Sequence, residues 1–210
     1  MEKNAIRLPA QRKKGSKPTA KKMFEILHYI AKKETKIETQ RAVLARHVEF
    51  EPRQAFQRVA RDYQRMEASD IQQFIARFTD EEMYQTEACH YLVRYWNEHK
   101  SYTGLGVPKK EEGYLSLTDF AALVLPQENE ILRATATQRE TFASADISYQ
   151  VERQLAVLLQ MECDLQETYE RMKSELESVK GFSTAALFKQ LDRQKVGFID
   201  KETLAHFMFM

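Results

Sequence analysis

Residues 182–207 read FSTAALFKQLDRQKVGFIDKETLAHF. Phe188 and Leu191 are spaced as on one face of a short helix, and a second apolar pair with the same spacing follows a loop. Asp192 begins that loop, and Gly197 stands where the backbone has to turn. The stretch therefore predicts two short helices joined by a compact loop.

The pattern of this stretch resembles the EF-hand, the helix–loop–helix unit whose twelve-residue loop binds calcium. Asp192 corresponds to loop position 1, Gly197 to position 6 and Ile199 to position 8. The backbone at position 8 forms a small β-bridge between paired loops. Leu204 and Phe207 would lie on the exiting helix, so the resemblance implies an EF-hand-like unit at the C-terminal end.

The same apolar outline occurs earlier in the chain, which indicates an internal repeat. With one residue missing from the earlier loop, Phe50, Phe56, Val59, Met66, Ile71 and Phe74 match Phe182, Phe188, Leu191, Ile199, Leu204 and Phe207. Segment 113–120 is a third, partial match and is predicted to pair with the first. The fold class that follows is all-α, with EF-hand-like helix–loop–helix units and a long connecting helix.

The chain is predicted to divide into four parts. They are a basic flexible tail (1–18), an N-terminal EF-hand-like pair with its preceding helices (19–126), a connector (127–147), and a long helix plus the C-terminal EF-hand-like unit (148–210). Glycine and proline number only 6 and 5, which favours helices over a turn-rich β fold.

The long helix carries an apolar seam at heptad spacing, formed by Val151, Leu158, Leu165, Met172 and Val179. Glu162 interrupts the companion positions of that seam. The seam predicts packing against another helix, and the sequence leaves open whether that helix belongs to this chain or to a partner.

The formal charge of +1 hides a basic N-terminal stretch, since eight Lys or Arg and one acid fall in the first 22 residues. We expect Lys13, Lys14, Lys21 and Lys22 to contact an acidic surface. Nucleic acid, anionic lipid and an acidic protein polymer all fit that charge, and a merely solubilising tail is the alternative. Nucleic acid is not expected, because the stretch has few aromatic residues for stacking.

The C-terminal loop is poorly equipped for calcium. Positions 3 and 5 are Gln194 and Val196, and position 12 is Thr203, which cannot supply a bidentate carboxylate. Asp192 and Asp200 remain weak metal candidates. We therefore expect no bound metal and no cofactor.

Catalytic motifs are missing from the sequence, which contains no His-Glu-x-x-His pattern, phosphate-binding Gly-rich loop or nucleophile elbow. The chain is predicted not to be an enzyme, to have no small-molecule substrate and to lack a membrane span. Trp96, in an aromatic-rich segment, and Phe207 and Phe209, at the apolar C-terminal end, are candidate anchors for a protein partner.

Segment 117–126, LTDFAALVLP, followed by Leu132-Arg133 and Gln138-Arg139, resembles degenerate EF-hand proteins of protist cilia and flagella. That resemblance implies a structural part of the axoneme, in the manner of microtubule inner proteins. It places the chain in the cytoplasm and cytoskeleton of the cilium or flagellum, among the proteins of a large assembly, with tubulin as a candidate partner. The alternatives are a calcium sensor or buffer, and an accessory subunit of another large complex such as a mitochondrial one.

Overall fold

The computed structural model describes residues 17–62, 64–79, 86–98, 113–139, 147–192 and 195–208. These residues form nine helices and two short strands, which confirms the predicted all-α class. The elements in chain order are α1 (Lys17–Arg46), α2 (Pro52–Val59), β1 (Met66–Glu67), α3 (Ala68–Ala76), α4 (Thr86–Glu98), β2 (Tyr114–Leu115), α5 (Leu117–Val124), α6 (Glu130–Thr137), α7 (Tyr149–Glu177), α8 (Thr184–Leu191) and α9 (Lys201–Met208).

The chain divides into two compact units, a larger one (29–171) and a smaller one (1–28 with 172–210). The division falls inside the two long helices α1 and α7, whereas the sequence suggested a break at the connector. No helix in the described part of the chain combines the length and the apolarity that crossing a membrane requires.

Two helix–loop–helix segments form the centre of the larger unit, α2 with α3 and α4 with α5. Helix α2 has a local start signal: the Glu51 carboxylate accepts the backbone N–H groups of Arg53 and Gln54 at 2.8 and 2.9 Å, just ahead of Pro52. Ser116 precedes α5 in the same way and accepts the backbone N–H of Asp119 at 3.4 Å.

A two-stranded antiparallel ribbon joins the two loops. Met66 lies opposite Leu115, and Glu67 lies opposite Tyr114. The predicted pairing of these two segments is therefore present. Met66 and Leu115 are fully buried, so the ribbon also closes one end of the core.

The core of the larger unit lies between the paired helices and is built from both segments. The rings of Phe56 on α2 and Phe120 on α5 meet edge to face, with centroids 5.6 Å apart. Helix α7 contributes Val151, Leu155 and Leu158, which are buried in the same core. Val151, Leu158 and Leu165 of the α7 heptad seam are thus covered by this chain, whereas Met172 and Val179 are half-buried.

Arg139 secures the C-terminal end of α1. Its guanidinium donates to the carbonyl oxygens of Ala45, His47 and Phe50 at 2.7, 2.5 and 2.6 Å. A helix end leaves carbonyl groups without intrahelical partners, and a guanidinium offers several donors in a fixed fork. Arg139 of the Gln138-Arg139 pair therefore has a structural role.

Candidate partner-binding surface

The C-terminal loop folds around the carboxylate of Asp192. Its two oxygens accept the backbone N–H groups of Val196 and Gly197 at 2.9 and 2.8 Å. Gly197 has φ +87°, a conformation that L side chains rarely adopt, so the glycine is required for this turn. Asp192 is 7% exposed and is engaged by the loop itself.

Asp200 acts as the cap of α9. Its Oδ1 accepts the backbone N–H of Thr203 at 2.7 Å, and hydrogen bonds from Thr203 hold the pKa of Asp200 below its ordinary value. Gln194 lies outside the described residues. Within the described part of the chain, no three His, Cys, Asp or Glu side chains cluster closely enough to share a metal ion.

The apolar face of this C-terminal helix–loop–helix is partly open. Phe188, Val196 and Phe198 are 36%, 49% and 58% exposed and no residue of α9 is buried, whereas Leu187 and Leu191 of α8 are buried. The repeat matches Phe188 with Phe56 of the larger unit, which is only 1% exposed. This position is therefore covered in one copy of the helix–loop–helix and exposed in the other, whereas Leu191 and its match Val59 are buried in both.

A cleft of about 290 Å³ separates α8 from α9 and is lined by Gln190, Leu191, Asp200, Glu202, Thr203, His206 and Phe207. Phe207, a predicted partner-binding residue, is half-buried in its wall. Phe209 lies outside the described residues. The lining is mostly polar, with Leu191 and Phe207 as its apolar residues.

The predicted basic contacts are only partly described. Lys13 and Lys14 lie outside the described residues. Lys21 sits on the first turns of α1 with a 79% exposed side chain, and its Nζ is 3.7 Å from Glu25. Lys22 is 3.0 Å from Glu175 of α7, so its charge already has a partner within the smaller unit.

Trp96, which the sequence predicts to be an anchor for a protein partner, is an interior residue. It is 8% exposed in the core of the larger unit, and its indole Nε1 lies 3.4 Å from Glu162 Oε2. The Arg41 guanidinium lies over its ring, 5.7 Å from the centroid. Trp96 is therefore not part of the open surface.

Arg41 and Glu162 form a buried ion pair beside Trp96, and neither is among the site residues predicted from the sequence. Arg41 on α1 and Glu162 on α7 are 2% and 0% exposed, and Arg41 Nη2 contacts Glu162 Oε1 directly. Arg41 Nε also donates to the carbonyl oxygen of Leu123 at 2.8 Å. The signals were a lone acid in the α7 seam and an arginine on the same face of α1 as Ile37 and Leu44.

No protein-family model, curated protein or solved structure matches this chain.

The ion pair predicts a pH dependence of stability. Burial raises the pKa of Glu162 from 4.5 to about 7, with Glu34 adding to the rise and Arg41 and Trp96 opposing it. Between these two values the folded chain keeps a proton that the unfolded chain has lost. Unfolding then releases a proton, so stability falls as pH rises through this window.

We expect the free energy of unfolding to fall by about 2–3 kcal/mol between about pH 4 and pH 8, relative to the Glu162→Gln variant. The measurement is urea unfolding of both proteins across that range. Parallel pH profiles for the two proteins would contradict the raised pKa.

Proposed function

We propose that this chain is a non-catalytic structural adaptor of a ciliary axonemal microtubule assembly, which binds partner proteins. The observation that carries the proposal is the open apolar face of α8 and α9, because exposed phenylalanines beside a cleft are typical of a protein-binding surface. The axonemal setting is inferred from the resemblance of segment 117–139 to ciliary proteins.

We further propose that the helix–loop–helix segments are degenerate EF-hand-like units. The antiparallel ribbon of Met66 with Leu115 supports this, since paired EF-hand loops are joined by such a bridge. The C-terminal loop adds a positive-φ glycine at the position where the EF-hand turns sharply. Such a scaffold keeps its helices in place without a bound ion.

A calcium sensor is the competing function, and its candidate ligands, Asp192 and Asp200, lie in the C-terminal loop. There the carboxylate of Asp192 is already satisfied by backbone N–H groups, and Val196 offers no side-chain oxygen. Calcium loops rely on several such oxygens together with a bidentate carboxylate at position 12. A structural role accounts for these residues better.

The N-terminal basic stretch is proposed to contact an acidic surface, with tubulin as the partner. Lys21 supports this because its side chain projects into solvent with only a long contact to Glu25. Attraction between a basic stretch and an acidic polymer speeds association and is weakened by salt. The basic stretch and the open C-terminal face would then bind different components.

Co-sedimentation with purified microtubules tests the proposal. We expect the full chain to pellet in a salt-sensitive manner, and removal of residues 1–16 to weaken binding on the order of tenfold at low salt, because five basic residues and one acid are lost. This truncation leaves α1 intact.

Lys21→Glu should weaken binding further, and Lys36→Glu is its matched control, since Lys36 is exposed on the same helix outside the basic stretch. If neither the full chain nor the truncated chain pellets at low salt, the microtubule part of the proposal is wrong.

A further inference from the structure

The pairing of two helix–loop–helix segments in the larger unit is a template for how this sequence pattern buries its apolar face. There the segment α2–α3 and the segment α4–α5 lie against each other and bury Phe56, Met66, Leu115 and Phe120. The contact includes the ribbon between the two loops. In this chain, the apolar face of one helix–loop–helix is therefore covered by another.

The C-terminal helix–loop–helix has the same pattern but lacks such a cover. Ile199 occupies the position of Met66 in the first segment and of Leu115 in the third, and Gly197-Phe198-Ile199 parallels Gly113-Tyr114-Leu115. Ile199 is only half-buried, and Phe198 beside it is exposed. The helix caps also match. Asp200 accepts a backbone N–H at the start of α9, as Ser116 does at the start of α5.

The register of the ribbon indicates what fits this face. In the template, Met66 faces Leu115 and Glu67 faces Tyr114. Transferred to two copies of the C-terminal segment, this register sets Ile199 opposite Ile199 and Asp200 opposite Phe198. Such an arrangement repeats itself under a twofold axis, as a contact between identical surfaces requires.

We propose that the open face binds a second copy of this chain, forming a twofold dimer through paired C-terminal helix–loop–helix segments. The inference rests on the proposed function, because it names the partner of the open face. A second copy brings a helix–loop–helix with the same uncovered apolar positions.

The near-neutral charge of the C-terminal segment also favours a second copy of this chain over a partner with a large net charge. Residues 172–210 contain six basic and five acidic side chains, so two copies carry almost no net charge to repel each other. In the twofold register no like charges stand directly opposite, since Asp200 faces Phe198 and Lys201 faces Gly197. Cross-strand neighbours of like charge would be destabilising.

Sedimentation velocity of the full chain over a concentration series tests the dimer. We expect the mass to rise from 24.6 kDa toward twice that value as concentration increases. Phe198→Glu should weaken dimerisation on the order of tenfold, because its carboxylate would stand opposite Asp200 of the second copy, twice in the twofold ribbon. Ile131→Glu is the control, since Ile131 is 82% exposed in the larger unit and should leave the mass unchanged.

A covalent test reports the register itself. In the twofold ribbon, the thiols introduced by Ile199→Cys face each other at a separation that a disulfide can span. Mild oxidation should give a covalent dimer, whereas Ile131→Cys should give none, and Cys89 and Cys163 are buried.

A chain that stays monomeric at about 100 μM, or that dimerises equally well with Phe198→Glu, overturns the inference. Microtubule co-sedimentation is scored separately. A monomer that still pellets with microtubules would therefore remove the dimer and leave the proposed function standing.

Discussion

Replacing Arg41 with methionine is expected to lower the free energy of unfolding by about 3–5 kcal/mol at pH 8, because the buried carboxylate of Glu162 would lose its counter-ion. Methionine fills most of the space of the arginine stem but offers no donor. The carbonyl oxygen of Leu123 would also lose its hydrogen bond. The measurement is urea unfolding followed by the fluorescence of Trp96, the only tryptophan in the sequence.

An exposed pair supplies the matched control. Arg94 on α4 lies 2.9 Å from Glu170, with a side chain that is 48% exposed. Pairs of this kind contribute little, so Arg94→Met should change the free energy of unfolding by less than about 1 kcal/mol. Equal losses in the free energy of unfolding for Arg41→Met and Arg94→Met would contradict the expectation that burial makes the Arg41 ion pair more important.

Two further measurements distinguish the loss of the Glu162 counter-ion from a packing defect caused by Arg41→Met. A second substitution, Glu162→Leu, should recover much of the loss, since it removes the charge that Arg41 balances. The effect of Arg41→Met should also be smaller near pH 5, where the raised pKa keeps Glu162 protonated. A packing defect would respond to neither change.

The helices and the pairing of the two loops could be predicted from local patterns. The spacing of Phe56 and Val59 predicts one apolar helix face, and Gly113-Tyr114-Leu115 repeats the end of the C-terminal loop. These features depend on neighbours close in sequence and on the repeat. Local periodicity and the repeat are therefore enough to predict that the segments of Met66 and Leu115 pair with each other.

Periodicity does not predict which apolar helix faces are buried by other elements. The positions of Trp96, the Arg41–Glu162 pair and Phe188 depend on that burial. Trp96 has the chemistry of an interface anchor but lies in the core beside Glu162. Arg41 and Glu162 are 121 positions apart in the chain, so their pairing depends on how α1 and α7 pack. The open state of Phe188 likewise follows from tertiary packing, because its repeat equivalent is buried.

The C-terminal helix–loop–helix leaves exposed a repeat position that is covered in the larger unit. The matched pair Phe56→Ala and Phe188→Ala tests this, because it changes the same repeat position in the two settings. Both free energies of unfolding are measured at about 1 μM by urea titration with circular dichroism, so that self-association is minimal.

We expect Phe56→Ala to lower the free energy of unfolding by about 3–5 kcal/mol, because it leaves a cavity in a closed core that includes the ring of Phe120. Phe188→Ala should lower it by no more than about 1 kcal/mol, since the ring already contacts solvent. A loss for Phe188→Ala as large as that for Phe56→Ala would contradict the open face and the partner-binding proposals that rest on it.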